Sequence, residues 1–184
     1  MNHRSIGLVE LTSVASGFLA ADTMLKAGDV EILLSRTICS GKFLVLIGGD
    51  TAAVQAAVEA GAASAAGTLI EQVVIPNLHP DVFQAIGRSG PPPAGQGSLG
   101  ILESFNVAAM IAGADAAAKA ADVTLVELRV AMALGGKSFL TLVGDVGAVQ
   151  ASIAAGRQAI SASGVLVNAV VIPRPHPDVY REIV

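Results

Sequence analysis

The sequence predicts an α+β protein built from two tandem ferredoxin-like domains, and three observations carry that prediction. The first is an internal repeat. Ser5-Ile-Gly-Leu-Val-Glu10 returns as Ser98-Leu-Gly-Ile-Leu-Glu103, Asp22 and Lys26-Ala27 return as Asp115 and Lys119-Ala120, and His79-Pro80-Asp81-Val82 returns as His176-Pro177-Asp178-Val179. The offset between copies starts at about 93 residues and reaches about 97, so two small insertions lie in the second copy. The second observation is that each copy reads β-α-β-β-α-β with a short terminal helix, the order of a ferredoxin-like sheet with helices on one side. The third is Ser89-Gly-Pro-Pro-Pro-Ala-Gly-Gln-Gly97, a Pro/Gly linker that divides residues 1–88 from residues 98–184.

Each element follows from its residues. Ile6 to Leu11 is a short strand with Glu10 inside it. Val14 to Ala27 is Ala-rich and opens on Thr12 or Ser13, either of which can cap it, so it reads as a helix. Val30 to Ile38 and Lys42 to Gly48 are β-rich runs joined by Cys39-Ser40-Gly41, a hairpin. Asp50 is expected to cap the helix Ala52 to Ala66, whose small side chains permit close packing. Leu69 to Ile75 is the last strand, and Pro80 to Ile86 the terminal helix.

Composition narrows the class. Of the 184 residues 53% are hydrophobic and 14% charged, with one Tyr, no Trp and five Phe. Such a chain can offset its ordering entropy by burial, which excludes disorder. A single cysteine excludes a disulfide scaffold. The net charge of −4 comes without a basic cluster, so nucleic acid is not an expected partner. The mean hydropathy of +0.66 raises the question of a membrane. The longest uncharged stretch, Gln158 to Pro173, contains Gln, Ser, Gly and Asn and ends in Pro, so no span is expected. The opening residues have no continuous apolar run and no small-residue cleavage site, and a soluble cytosolic protein without a leader is expected. Its charge-poor surface fits burial between subunits.

Taken in order and twice over, the Gly-Leu-Val-Glu opening, Ala-Asp-x-x-x-Lys-Ala-x-x-Val, Gly-Asp-x-x-Ala-Val and the closing Val-Ile-Pro-Arg-Pro-His resemble the bacterial microcompartment (BMC) shell domain. The resemblance covers nearly the whole chain, in the order of the standard rather than the circularly permuted domain. Ser35-Arg-Thr-Ile-Cys-Ser-Gly-Lys42 resembles, more narrowly, the tandem-domain shell proteins of propanediol-utilisation compartments that carry an iron–sulphur cluster. The resemblance implies a pseudo-hexameric homotrimer tiling a facet of a polyhedral shell in the cytoplasm, beside neighbouring BMC shell hexamers. Cyclic closure of a duplicated domain with near-equivalent, charge-poor interfaces agrees with it physically. It places tile-edge contacts at Lys26, Lys119 and Arg174; in the first copy Asn77 stands where Arg174 does, which leaves that half of the contact without its arginine.

The resemblance also makes Ile38, Cys39, Ser40 and Gly41 a pore loop. The second copy has Val130-Ala-Met-Ala-Leu-Gly-Gly136 there, longer by two residues and without a thiol. An iron–sulphur cluster is ordinarily held by four cysteines, which one chain cannot supply. Three copies of Cys39 around a three-fold axis would supply three thiolates to a single [4Fe-4S] cluster per trimer, leaving one iron with another ligand. Its expected role is electron transfer across the shell, or delivery of a cluster to an encapsulated redox enzyme. Against this stands the reading of Cys39 as an ordinary small residue in a tight turn. Two rivals follow: a cluster-free tile whose pore passes small polar metabolites, and a trimeric small-molecule-binding regulatory protein. No enzymatic residues are expected. Glu10 and Glu103 fall in separate modules and suit structural salt bridges, Lys42 and Lys137 suit solvated strand ends, and His79 and His176 suit turns.

Overall fold

The computed structural model describes residues 4–86, 97–131 and 134–181. Of the linker, residues 89–96 lie outside the described residues, as do Met132 and Ala133 of the second loop. By packing, the chain divides into two compact units, Met1–Pro80 and Asp81–Val184.

The first unit runs β1 (Ser5–Leu11), α1 (Val14–Ala27), β2 (Val30–Thr37), β3 (Phe43–Gly49), α2 (Thr51–Ser64) and β4 (Leu69–Pro76), and the chain then enters α3 (Pro80–Ala85). Its sheet has the order β2-β3-β1-β4, antiparallel throughout. This is the expected ferredoxin-like arrangement, and the boundaries fall within two residues of those read from the sequence. The strand pattern decides which side carries the helices. A Cβ on Gly7 would lie 2.5 Å from Val58 and 2.8 Å from Val54, so α2 sits directly on β1 there. Alternation then turns Val9 and Leu11 to the helices, where with Phe43, Val45, Ile47, Val54, Ala57 and Val58 they form the core. Truncating one of its large side chains to Ala would cost about 2–5 kcal/mol.

The second unit repeats the plan with β5 (Ser98–Ser104), α4 (Val107–Ala120), β6 (Thr124–Val130), β7 (Ser138–Gly144), α5 (Val146–Ser161), β8 (Leu166–Ile172) and α6 (Pro177–Arg181), in the sheet order β6-β7-β5-β8. Here α4 and α5 approach each other at glycines, and a Cβ on Gly156 would lie 2.8 Å from the carbonyl oxygen of Gly113. Gly100 abuts Ile153 of α5, so Leu99 and Ile101 turn to the opposite face, where Tyr180 of α6 packs with them. The unit also contains all of α3 except its first residue, Pro80. Ile86 just beyond it makes a parallel bridge to Leu128 on β6. No helix among the described residues is long and apolar enough to cross a membrane.

One local expectation is corrected. Asp50 and Asp145 occupy the N-cap positions with extended backbone, but neither side chain makes a capping hydrogen bond. The cap is made by the main chain alone, the carbonyl of Asp50 accepting from Val54 N–H at 2.9 Å. Both carboxylates are exposed, where they still favour the positive end of the helix dipole. Ser13 and Asn106 cap α1 and α4 as side chains, accepting from Ser16 N–H at 3.3 Å and Ala109 N–H at 2.7 Å.

Candidate functional site

The β2–β3 connection is a tight turn, Cys39–Gly41. Its reversal depends on two successive left-handed residues, Ser40 at φ 64° and Gly41 at φ 74°. A glycine adopts that backbone freely, whereas serine does so at a cost. The turn is closed by Ile38 N–H donating to the Lys42 carbonyl at 2.9 Å. Ile38 is buried and anchors the loop, Cys39 is half-buried, and Ser40 and Gly41 are exposed. The thiol therefore stands at the boundary between anchored and solvated backbone.

A charged clasp holds the end of this loop. Lys42 Nζ donates to Glu10 Oε1 at 2.8 Å, the carboxylate being buried and the lysine partly so. The duplication reproduces it, with Lys137 pairing to Glu103. Neither lysine is a solvated strand end, which corrects that expectation, while the salt bridges anticipated for Glu10 and Glu103 are present. The lysine directly after the turn reaches across to the carboxylate near the end of β1 or β5, the strand that neighbours β3 or β7. The pairing was not legible because its two members lie far apart in sequence. The repeated Glu and Gly-Lys motifs were the signal available.

The second copy's loop also uses left-handed backbone, at Ala131 (φ 48°), Gly135 (φ 62°) and Gly136 (φ 89°). On β6 beside it, Arg129 donates to buried Glu127 at 2.7 Å and lies 5.2 Å from the Phe139 ring centroid. Sequence reading did not single out this cluster.

Among the expected edge residues, Lys26 pairs with Asp22 and Lys119 with Asp115, each at 2.6 Å and one helical turn apart. Lys26 and Arg174 are exposed. His176 Nδ1 accepts from Asp178 N–H at 3.2 Å, an ordinary turn contact. Among the described residues no three His, Cys, Asp or Glu side chains gather within one chain. In the second unit an open groove of about 490 Å³ runs along α5 and β8, lined by Gln150, Ile153, Arg157 and Ser161 among others.

Two tandem units of one plan, each a four-stranded antiparallel sheet with two long helices, make this a duplicated α+β protein. The BMC domain family matches residues 5–78 and 98–175, and the chain belongs to it. It is 42% identical over 181 residues to the bacterial microcompartment shell protein PduT of Citrobacter freundii, covering 98% of each chain. The crystal structure of a microcompartment protein from Desulfitobacterium hafniense superposes with a TM-score of 0.92 at 48% identity, covering 97% of this chain and 99% of that one. The shell protein PduA of Citrobacter freundii is 38% identical over 90 residues, which are 48% of this chain and 97% of PduA. One copy here thus corresponds to nearly all of a single-domain relative.

Proposed function

We propose that this chain is a structural tile of a bacterial microcompartment shell, a homotrimer of six domains set beside other shell proteins in the cytoplasm. Its likeness to PduT across 98% of both chains carries the reading and suggests a propanediol-utilisation compartment. Catalysis forms no part of this role. The groove along α5 and β8 supplies the regulatory alternative with a place for a ligand, but the relatives' shell-protein names favour the tile.

The tile's speciality in this reading is a [4Fe-4S] cluster at the three-fold axis, ligated by Cys39 of each chain. What supports it is the placement of the thiol. Cys39 is half-buried in a loop with exposed neighbours, and its anchored flank would hold three such side chains in fixed positions. The donor set fits a cluster only when three chains contribute, with a fourth ligand from outside the thiols. The group would supply one-electron chemistry, either across the shell or to an encapsulated redox enzyme. This chain's own contribution is the thiolate, the rigid turn, and backbone amides at Ser40 and Gly41 that can hydrogen-bond to sulfur.

The test is protein purified without oxygen and assayed for iron and acid-labile sulfide. About four of each per trimer is expected. Near zero after reconstitution with iron and sulfide overturns the cluster and leaves a tile whose pore passes small polar metabolites. Concentrated protein should form flat sheets under the electron microscope. Discrete particles that never tile would favour the regulatory alternative.

A further inference from the structure

The duplication permits a comparison of equivalent interior positions, and one cross-strand pair differs in kind. In the first unit Leu11 and Phe43 stand opposite each other in the β1–β3 register, both within the helix-side core. Their equivalents Ser104 and Ser138 stand opposite each other in the β5–β7 register and are just as deeply buried. The neighbouring positions return only part of the lost volume. Gly17 and Ala65 become the larger Met110 and Ile160, but Met24 becomes Ala117, all of them buried. Large side chains are thus lost at three positions and gained at two.

The two serines are not equally satisfied. Ser104 Oγ accepts from Asn106 N–H at 3.1 Å and lies 3.2 Å from the carbonyl oxygens of Asn106 and Val165, one of which takes its hydrogen. Ser138 Oγ is buried and has no hydrogen-bond partner in the protein. A buried hydroxyl left without a hydrogen bond is costly, and protein interiors meet that cost with an ordered water where the site is polar and roomy enough. We infer that the second unit binds one water molecule between Ser138 and Ser104. The water accepts from the Ser138 hydroxyl and donates to the Ser104 oxygen and to a carbonyl beside it, which gives it the partners such a site requires. It ties the start of β7, directly after Lys137, to the N-terminus of α4 that Asn106 caps. The first unit has Leu11 and Phe43 at these positions, so its equivalent space is filled and dry. The site lies within one unit and does not depend on how the chain assembles.

Two measurements on the full chain test the site. A high-resolution crystal structure should show density for a water within hydrogen-bonding distance of both Ser138 Oγ and Ser104 Oγ, and none between Leu11 and Phe43. Urea unfolding of Ser138→Ala then reads the sign of the hydroxyl's contribution. If the hydroxyl holds a water, the variant loses a hydrogen bond, and its folding equilibrium constant should fall about three- to tenfold. If the hydroxyl is unbridged, its removal takes an unsatisfied polar atom out of the core and leaves stability unchanged or raised. Absence of the density, or a Ser138→Ala protein that unfolds at an equal or higher urea concentration, overturns the site.

Discussion

A Cβ on Gly17 would lie 2.2 Å from the ring of Phe43, so the absent side chain of α1 is the space that the aromatic ring of β3 occupies. The second copy solves the same packing in reverse, with Met110 at the Gly17 position and Ser138 at the Phe43 position, both buried. One copy takes its volume from the strand and the other from the helix. Cores tolerate volume-conserving exchanges far better than single changes of size. Gly17→Ala should therefore destabilise the protein by about 1–3 kcal/mol through overpacking. Phe43→Ser should cost about 3–5 kcal/mol through the cavity it leaves. The double change Gly17→Met with Phe43→Ser should recover a large part of that loss. Urea unfolding of the parent, Gly17→Met, Phe43→Ser and the double variant measures it, and a double variant as unstable as the two single losses combined would show that the two positions do not share one space.

The clasp between Glu10 and Lys42 predicts a second difference. Glu10 is buried and its partner holds it at 2.8 Å, whereas the Asp22–Lys26 pair lies on an exposed helix face. Exposed pairs of that kind contribute about 0.3–0.5 kcal/mol. Removing Lys42 leaves a buried carboxylate without its cation, which should cost about 1–3 kcal/mol because the lysine end of the pair is open to solvent. Lys42→Met and Lys26→Met, compared by thermal unfolding, should differ in that order. Equal effects would mean that water reaches Glu10 freely.

In the β2–β3 turn, Ser40 carries a left-handed backbone on a residue that has no intrinsic preference for it. Ser40→Gly should stabilise the protein by a few tenths to about 1 kcal/mol, the relief of strain being partly offset by the added freedom of the unfolded chain. Gly41→Ala meets no atom within 4 Å of the new Cβ, so its cost arises from φ alone and should be about 1–2 kcal/mol. Denaturant titration distinguishes these small opposite changes, and a destabilised Ser40→Gly would mean that the serine side chain holds the turn.

How much of this was legible follows from the distances over which the physics acts. The bounds of α1 follow from an Ala-rich run opened by Thr12 or Ser13, because caps and propensities are local, and the structure puts the cap at Ser13. The sheet order followed from the repeat and the element sequence, which leave few topologies. The Glu10–Lys42 clasp and the Phe43–Gly17 exchange join residues on different elements, and no local pattern encodes them. Asp50 shows the opposite error: a residue type suited to capping sits at the cap with its carboxylate free of the helix amides. At the candidate site, the repeat placed Cys39 in a turn. Its half-buried state depends on Ile38 anchoring the loop, which the sequence does not express.

The two copies differ at the residues assigned to the tile edge, and that difference predicts unequal edges. Lys26 has 74% of its side chain exposed and Lys119 45%, although each is held by an aspartate one turn earlier. Arg174 is exposed near the end of the second copy, and its first-copy equivalent Asn77 has a left-handed backbone at φ 53° and no cation. If neighbouring tiles meet through these groups, edges of the second copy keep a lysine and an arginine, and edges of the first rely on Lys26 alone. Lys26→Ala should then raise the protein concentration needed for sheet formation further than Lys119→Ala does, while neither changes the oligomer, since surface pairs contribute little to folding. Electron microscopy across a concentration series, with native mass spectrometry as the control for the trimer, measures both properties. Equal losses would mean that the arginine does not compensate for the missing lysine, and undiminished sheets in both variants would remove these lysines from the edge.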